Sequence, residues 1–177
     1  MSVKPKRILA ISGSLRAQSS TQYIIQAFRK FVPDAYEFIV YDGLASLPHF
    51  NDAEAPDTSV LSLRKLLAEA DGVLICTPEY AFGVPGSLKN ALDWTVSSGE
   101  LVNKPTALIT AATSGEHAHA SLLLTLSALS ATIADEARLL IPYVRAKLDK
   151  QGLVKDTDTL QAIESVCKAL INSMQNL

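Results

Sequence analysis

The segment Lys6-Arg-Ile-Leu-Ala-Ile-Ser-Gly-Ser-Leu-Arg-Ala-Gln-Ser-Ser-Thr21 decides the fold of this 177-residue chain. It opens with a short apolar run, Lys6–Ser12, which predicts a buried β-strand. A serine-rich loop follows, and over residues 20–31 apolar side chains recur at the spacing of an amphipathic helix. A strand that passes through a polar loop into a helix is the first half of a βαβ unit, whose next strand runs parallel to the first.

The same alternation of apolar run and helical segment is found five times along the chain. The predicted strands are Lys6–Ser12, Tyr36–Tyr41, Gly72–Thr77 and residues 105–112 and 136–142. The predicted helices are residues 20–31, 59–70, 85–97 and 117–131, with a closing helix through Leu160 and Met174 behind a cap at residues 156–158. This pattern predicts an α/β fold with a doubly wound five-stranded parallel sheet and helices on both faces. Its ligand is expected beyond the carboxyl ends of the strands.

Composition places the chain among ordinary globular proteins. It is 48% hydrophobic and 19% charged with a net charge of −2, which disfavours nucleic acid as a partner. No repeat or linker divides it, so residues 1–177 are predicted to form one domain. Cys76 and Cys167 form no CxxC pair, which predicts reduced thiols in a cytoplasmic protein and no metal site. The apolar runs after the basic N-terminus and around Leu122 are too short for a signal peptide or membrane insertion.

The loop after the first strand is predicted to bind a phosphate group. It offers five hydroxyls and Arg16 immediately before a helix, and hydroxyls, loop N–H groups and a helix N-terminus together suit a doubly charged anion. The alternative is that one hydroxyl caps the helix and Arg16 is a surface charge. The loop has neither the P-loop pattern nor the G-x-G-x-x-G pattern, so a monophosphate is the better fit.

Two further loops follow the third and fourth strands. Residues 77–87 contain two prolines and two glycines, and Tyr80 and Phe82 offer apolar surface for a planar ring or, alternatively, fill the core. Residues 113–118 form a small hydroxyl-bearing turn that is weak evidence by itself. His117 and His119 are interpreted as partly exposed residues at a helix start, because side chains two residues apart on a helix point in different directions.

The sequence resembles the NADPH-dependent FMN reductases, a flavodoxin-like group that includes quinone and chromate reductases and azoreductases. The resemblance covers nearly the whole chain. It is strongest where Thr77-Pro-Glu-Tyr80 and Pro85-Gly-Ser-Leu-Lys-Asn-Ala-Leu-Asp-Trp94 are similar to the family's TPEYN…PGxLKNAxDW signature. Gly13-Ser-Leu-Arg16 with Ser19 and Thr21 is similar to the family's phosphate loop. The fold implied is a flavodoxin-like sheet with strand order 2-1-3-4-5.

The resemblance implies an FMN site built from three loops. The residues implied at the phosphate are Ser14, Arg16, Ser19, Ser20 and Thr21. The residues implied beside the isoalloxazine are Pro78, Glu79, Tyr80, Ala81 and Phe82, largely through backbone contacts, with Ser114 and Gly115 facing it from the next loop. No side chain is expected to be catalytic. Lys89, Asn90, Asp93 and Trp94 match a helix that packs at a dimer interface in the family.

Three positions depart from the family pattern. Thr21 and Ala81 each stand where the family commonly has asparagine, and the glycine-rich turn after the fourth strand is here Glu116-His117-Ala118. The change at Ala81 puts a polar contact at the flavin edge in doubt. The change at residues 116–118 would narrow one side of the site and alter substrate choice.

The implied activity is a ping-pong transfer of electrons from NADPH or NADH through FMN to a quinone or another small electron-poor acceptor. The alternatives are a flavin-binding sensor or interaction module and a flavodoxin-type electron carrier; a carrier would have a TGxTG loop and a more acidic surface. A hydrolase is disfavoured because Arg16 breaks the G-x-S-x-G pattern. The helix with leucines at 122–124, 126 and 129 is apolar on nearly every side, which predicts a homodimer or homotetramer.

Overall fold

Five parallel strands form the centre of the fold in the computed structural model, which describes residues 5–52 and 55–176. The strands are β1 (Lys6–Ser12), β2 (Tyr36–Tyr41), β3 (Gly72–Thr77), β4 (Thr106–Ala111) and β5 (Arg138–Ile141). The helices are α1 (Ser20–Arg29), α2 (Thr58–Glu69), α3 (Gly86–Asp93), α4 (Glu116–Ala128) and α5 (Thr157–Gln175). The sheet order is β2-β1-β3-β4-β5, which confirms the predicted flavodoxin-like α/β topology.

The topological switch point lies between β1 and β3. From β1 the chain crosses to β2 on one side, and β3 then returns to pair with β1 on the other, in a register that sets Ile11 opposite Ile75. The strands that follow add outward through β4 to β5. The carboxyl ends of β1, β3 and β4 therefore meet at one edge, where open sheets of this kind bind their ligands.

Helices cover both faces of the sheet because successive strand residues point to opposite sides. Ile8 and Ala10 of β1 face α1 and α5, in a cluster with Phe28 and Leu170. The neighbouring side chains, Leu9 and Ile11, face α2, α3 and α4. Every residue of β3 and β4 is buried, as expected for strands covered on both sides.

Several predicted boundaries were wrong at their ends. The predicted strand 136–142 begins only at Arg138, because residues Asp135–Ala137 form a single 3₁₀ turn. The predicted helix 85–97 ends at Asp93. Beyond it, the backbone N–H groups of Thr95 and Val96 donate to carbonyl oxygens only three residues earlier, which is a tighter turn than that of an α-helix. The predicted helix 117–131 ends at Ala128, and Ser130 has a left-handed backbone that no α-helix accommodates. The closing helix is confirmed, with Asp156 as its N-cap.

Other expectations concern the termini, the cysteines and the membrane. Among residues 5–52 and 55–176, no helix is long and apolar enough to cross a membrane. Cys76 and Cys167 are both buried and free. Most of the basic N-terminal segment considered above, residues 1–4, lies outside the described residues.

Candidate cofactor site

The loop from β1 to α1 contains a chain of buried hydroxyls. Thr21 Oγ1 lies 2.9 Å from Ser12 Oγ and 2.8 Å from Ser19 Oγ. Ser14 Oγ accepts a hydrogen bond from the backbone N–H of Arg16 at 3.3 Å. Ser12, Ser14, Ser19 and Thr21 are each at most 4% exposed. The hydroxyls of Ser12, Thr21 and Ser19 thus hold one another in place, and the backbone holds that of Ser14.

Ser19 also caps the helix, which was the alternative to phosphate binding for this loop. It is the N-cap of α1, and its hydroxyl oxygen accepts from the backbone N–H of Gln22 at 3.3 Å. The N–H groups of the first turn of an α-helix have no intrahelical acceptor and carry the positive end of the helix dipole. Capping of α1 by Ser19 is therefore compatible with the predicted binding of an anion by this loop.

Gly13 allows this loop to approach β3 closely. Its N–H donates to the carbonyl oxygen of Cys76 at 2.8 Å. A Cβ atom at this position would lie 2.6 Å from Thr77 Oγ1 and 3.1 Å from Leu88 Cδ2. No side chain fits without a shift, so a residue without Cβ is required at the point where the loop meets the neighbouring strand.

One cavity of about 90 Å³ lies at the carboxyl edge of the sheet and collects most of the predicted residues. It is lined by Ser14, Arg16, Ser19, Ser20, Thr21, Pro78, Glu79 and Tyr80, together with Ala111, Ala112, Thr113, Val144 and Arg145. The predicted residues Ala81, Phe82, Ser114 and Gly115 are not part of this lining. Ala81, Phe82 and Ser114 are exposed, whereas Gly115 is buried.

Arg145 is a lining residue that the sequence reasoning missed. The chain after β5 is attached to the loop after β4: Tyr143 N donates to Thr113 O at 3.0 Å, and Val144 N donates to Ala112 O at 3.1 Å. Val144 is buried, and Arg145 follows it into the cavity wall. Neither Arg16 nor Arg145 makes a side-chain hydrogen bond or ion pair within the described residues. Arg145 could have been predicted from the sequence because it follows the fifth strand, whose carboxyl end lies at the same edge of the sheet as those of β1, β3 and β4.

The loop after β3 forms a tight two-residue turn. Tyr80 N donates to Gly83 O at 2.9 Å, and Gly83 N donates to Tyr80 O at 3.0 Å. The two central residues, Ala81 and Phe82, have φ values of 49° and 59°, the left-handed region that a type I′ turn requires. Asparagine adopts this region more easily than alanine does, which gives a conformational reason for the family's asparagine at position 81.

Glu79 joins this loop to the loop after β4. Its carboxylate accepts from Ser114 Oγ at 3.0 Å, from Gly115 N at 3.3 Å and from Ala118 N at 2.9 Å. The hydrogen bond from Ala118 N does most to lower the pKa of Glu79, and those from Ser114 and Gly115 act in the same direction. Glu79 therefore holds the N-terminus of α4 as an anion, a role the sequence reasoning did not assign to its side chain.

The two histidines of α4 have different surroundings. The imidazole of His119 is half-buried, and its Nδ1 lies 2.9 Å from Thr110 Oγ1. Burial lowers the pKa of His119, and Arg138 lowers it further. His117 is exposed and packs edge-on against Phe82, with 5.0 Å between ring centroids. The expectation that the two side chains point in different directions is confirmed.

The helix that matches the family's dimer interface also has a role inside the chain. Asn90 Oδ1 accepts from Phe50 N at 2.8 Å, and Trp94 Nε1 donates to Pro48 O at 2.9 Å. Trp94 is only 1% exposed. The described part of the long connection at residues 42–57 contains a 3₁₀ turn at Gly43–Ser46, and these contacts fasten it to α3 and its C-cap.

A doubly wound parallel sheet in this strand order, with a hydroxyl-rich loop at its switch point and neither a triphosphate loop nor a dinucleotide loop in the sequence, defines a flavodoxin-like protein. Comparison with known proteins then gives the family. Residues 6–145 match the family model described as NADPH-dependent FMN reductase. The chain therefore belongs to that family, and it is an oxidoreductase that works with FMN and NAD(P)H.

Individual relatives agree with this assignment. The chain is 31% identical over 170 residues to an NADH-dependent flavin reductase subunit 2 of Lactobacillus johnsonii, covering 89% of this chain and 91% of that protein. It is 29% identical to a quinone reductase of Escherichia coli K12, with 87% of each chain covered. The structure is similar to that of FerB, a flavoenzyme NAD(P)H:(acceptor) oxidoreductase from Paracoccus denitrificans. The TM-score is 0.84 at 27% identity, over 97% of this chain and 98% of that one.

Proposed function

We propose that the protein reduces quinones or other small electron-poor acceptors with NAD(P)H, and that FMN binds at the three loops described above. Ser14, Arg16, Ser19 and Ser20 would hold the phosphate, and Thr21 would position Ser19 and Ser12 through its hydroxyl. Residues 78–82 and the pair Ser114 and Gly115 would flank the isoalloxazine. The observation that carries this proposal is the chain of buried hydroxyls at the start of α1, with two guanidinium groups beside the same cavity.

The residues present fit the phosphate of FMN in charge and in size. A phosphate monoester carries about −1.5 to −2 charges near neutral pH, and Arg16, Arg145 and the N-terminus of α1 together supply the opposite charge. Glu79, the one carboxylate that the described residues place on the cavity wall, is already held by three donors. A cavity of about 90 Å³ suits a phosphate group but is well below the roughly 300–1,000 Å³ of pockets that enclose whole ligands. A three-ring flavin would therefore extend out of the cavity along the loops that follow β3 and β4.

The protein's part in the chemistry is binding and orientation. Bound FMN supplies the ability to accept a hydride from a reduced nicotinamide and to pass electrons on. The hydroxyls and arginines of the proposed phosphate cavity would bind the cofactor, and the turn at Tyr80–Gly83 and the N-terminus of α4 held by Glu79 would orient it. No acid–base pair is needed. The nicotinamide and the acceptor would use the same open side of the site in turn, which gives ping-pong kinetics.

Rapid mixing tests the proposed function directly. The protein loaded with FMN should lose its visible flavin absorbance when NADH or NADPH is added, and it should recover that absorbance when a quinone follows. Steady-state rates at several quinone concentrations should give parallel double-reciprocal lines. If neither nicotinamide bleaches the flavin, the reductase assignment is lost and a sensor or an electron carrier becomes the better description.

We also propose that the protein is a homo-oligomer, at least a dimer, through the outer face of α4. Leu122 and Leu126 are fully buried against the sheet, whereas Leu124 on the opposite side is 74% exposed. A largely apolar groove of about 560 Å³ runs beside it, lined by Leu123, Leu124, Ala131, Ile133 and their neighbours. An apolar helix face with an adjoining groove is typical of a contact between subunits.

Sedimentation of a Leu124→Asp variant checks the oligomer. Wild-type protein at micromolar concentration should sediment as a dimer or tetramer, and the variant should shift toward the monomer because a buried carboxylate opposes the contact. Leu61→Asp, at a similarly exposed leucine of α2, is the matched control and should leave the oligomer intact. A monomeric wild-type protein would contradict the proposal.

The cysteines support a cytoplasmic location, which we propose for this protein. Cys76 and Cys167 are free and buried, and burial raises the pKa of Cys167 to about 11. Unpaired cysteines are typical of proteins in a reducing compartment.

A further inference from the structure

Phe82 combines an exposed aromatic side chain with a backbone conformation that is unfavourable for a bulky residue. Its side chain is 74% exposed, and its backbone has φ of 59° directly after Ala81 at 49°. Exposed apolar surface and a left-handed backbone at a bulky residue are each unfavourable. The backbone is held in this state by the two hydrogen bonds between Tyr80 and Gly83. Strain that the surroundings maintain in this way is characteristic of binding sites.

The strained turn presents Phe82 to a second ring from a different loop. The rings of Phe82 and His117 lie 5.0 Å apart between centroids with an interplanar angle of 73°, an edge-to-face arrangement. Glu79 accepts hydrogen bonds from Gly115 and Ala118 on either side of the His117 position, so the start of α4 is fixed relative to the turn. The contacts of Glu79 therefore help to hold the two rings together. We call this pair the aromatic rim.

The aromatic rim lies outside the proposed phosphate cavity. Tyr80 belongs to the lining of that cavity, whereas Phe82 and His117 do not. His117 makes no side-chain hydrogen bond within the described residues, so its ring N–H is available to an acceptor oxygen. The rim thus offers one apolar ring face and one donor at the outer side of the loops.

We infer that the aromatic rim binds the electron acceptor and selects planar carbonyl-bearing rings of the quinone class. The ring of the quinone would pack on Phe82, and one carbonyl oxygen would accept from the imidazole of His117. This inference rests on the proposed reductase function. The backbone of the turn would still flank the flavin, so the side chain of Phe82 serves the acceptor rather than FMN.

Kinetics with two acceptors test the aromatic rim. In Phe82→Ala, the KM for 2-methyl-1,4-naphthoquinone should rise roughly 3- to 10-fold, as expected for one lost aromatic contact. The kcat/KM for ferricyanide, an acceptor without a ring, should fall less than the kcat/KM for the quinone, so the quinone-to-ferricyanide ratio of kcat/KM should drop roughly 3-fold or more. His117→Phe should raise the quinone KM similarly because it keeps a ring but loses the donor. Phe82→Tyr keeps the aromatic ring and should retain the wild-type KM for the quinone.

The controls separate this inference from the proposed function. Leu61→Ala removes another exposed apolar side chain and should alter none of these quantities. Equal losses of kcat/KM with both acceptors in Phe82→Ala would overturn the inference, because the ring would then serve something other than recognition of the quinone. Failure of the wild-type protein to be reduced at all would instead defeat the proposed function.

Discussion

The double variant Arg16→Ala/Arg145→Ala is expected to bind FMN at least roughly 100-fold more weakly than the wild-type protein. A charge-assisted hydrogen bond to phosphate contributes about 1.5–3 kcal/mol, so Arg16→Ala alone should weaken binding roughly 10- to 100-fold. Arg145 lines the same cavity, and its loss should add to the effect. Quenching of flavin fluorescence measures both affinities.

Riboflavin makes this prediction specific to the phosphate. It carries the same ring system without the phosphate, so its affinity should be nearly unchanged by either arginine substitution. Lys30→Ala/Lys150→Ala is the matched control, since it removes two exposed positive charges elsewhere and should leave FMN binding intact. The wild-type affinity for FMN should also fall with rising salt more steeply than that of the double variant.

Two results would contradict the arginine prediction. Unchanged FMN affinity in Arg16→Ala would mean that the phosphate lies elsewhere. An equal loss of riboflavin and FMN affinity would mean that the arginines act on the shape of the loops rather than on the anion.

The fold could be predicted from the sequence because its strands are continuous apolar runs separated by helices with clear periodicity. The strands β1, β2 and β3 have the predicted bounds, since both ends of each are marked by polar or turn-forming residues. The errors fall where a helix or strand passes gradually into turns, as after Asp93 and before Arg138. There the outcome depends on tertiary contacts such as the bonds from Arg64 to Trp94 O, which no local pattern reveals.

The site was predictable in its local parts and not in its connections. Adjacent hydroxyls before a helix can be recognised in the sequence, and the structure buries them together at the start of α1. The placement of Arg145 depends on how β5 ends beside β4, which is a property of the assembled sheet. The link from Glu79 to Ala118 spans 39 positions, and the paired left-handed residues at Ala81 and Phe82 contradict their own propensities. Departures of this kind are expected where function constrains the backbone.

Glu79→Ala is expected to lower both the stability of the protein and its affinity for FMN. The substitution removes the acceptor of three hydrogen bonds and an anion at the N-terminus of α4. Hydrogen bonds to charged groups contribute about 1.5–3 kcal/mol when shielded, and partial exposure reduces this to about 1–2 kcal/mol here. For a domain of this size the Tm should fall by roughly 2–8 °C. Glu136→Ala, at an exposed carboxylate of the 3₁₀ turn before β5, should have little effect.

The pH dependence of the stability lost in Glu79→Ala identifies the cause of that loss. Because the pKa of Glu79 is lowered in the folded protein from its ordinary value of 4.5, its stabilisation is fully present above that value and is lost as the pH falls through the folded pKa. The difference in Tm between wild type and Glu79→Ala should therefore be constant between about pH 6 and pH 8 and should shrink in more acidic solution. A difference that persists unchanged at the acid end would show that Glu79 acts through packing rather than charge. The two loops would then owe their fixed positions to other contacts, and the aromatic rim would lose the support that the Glu79 carboxylate gives it.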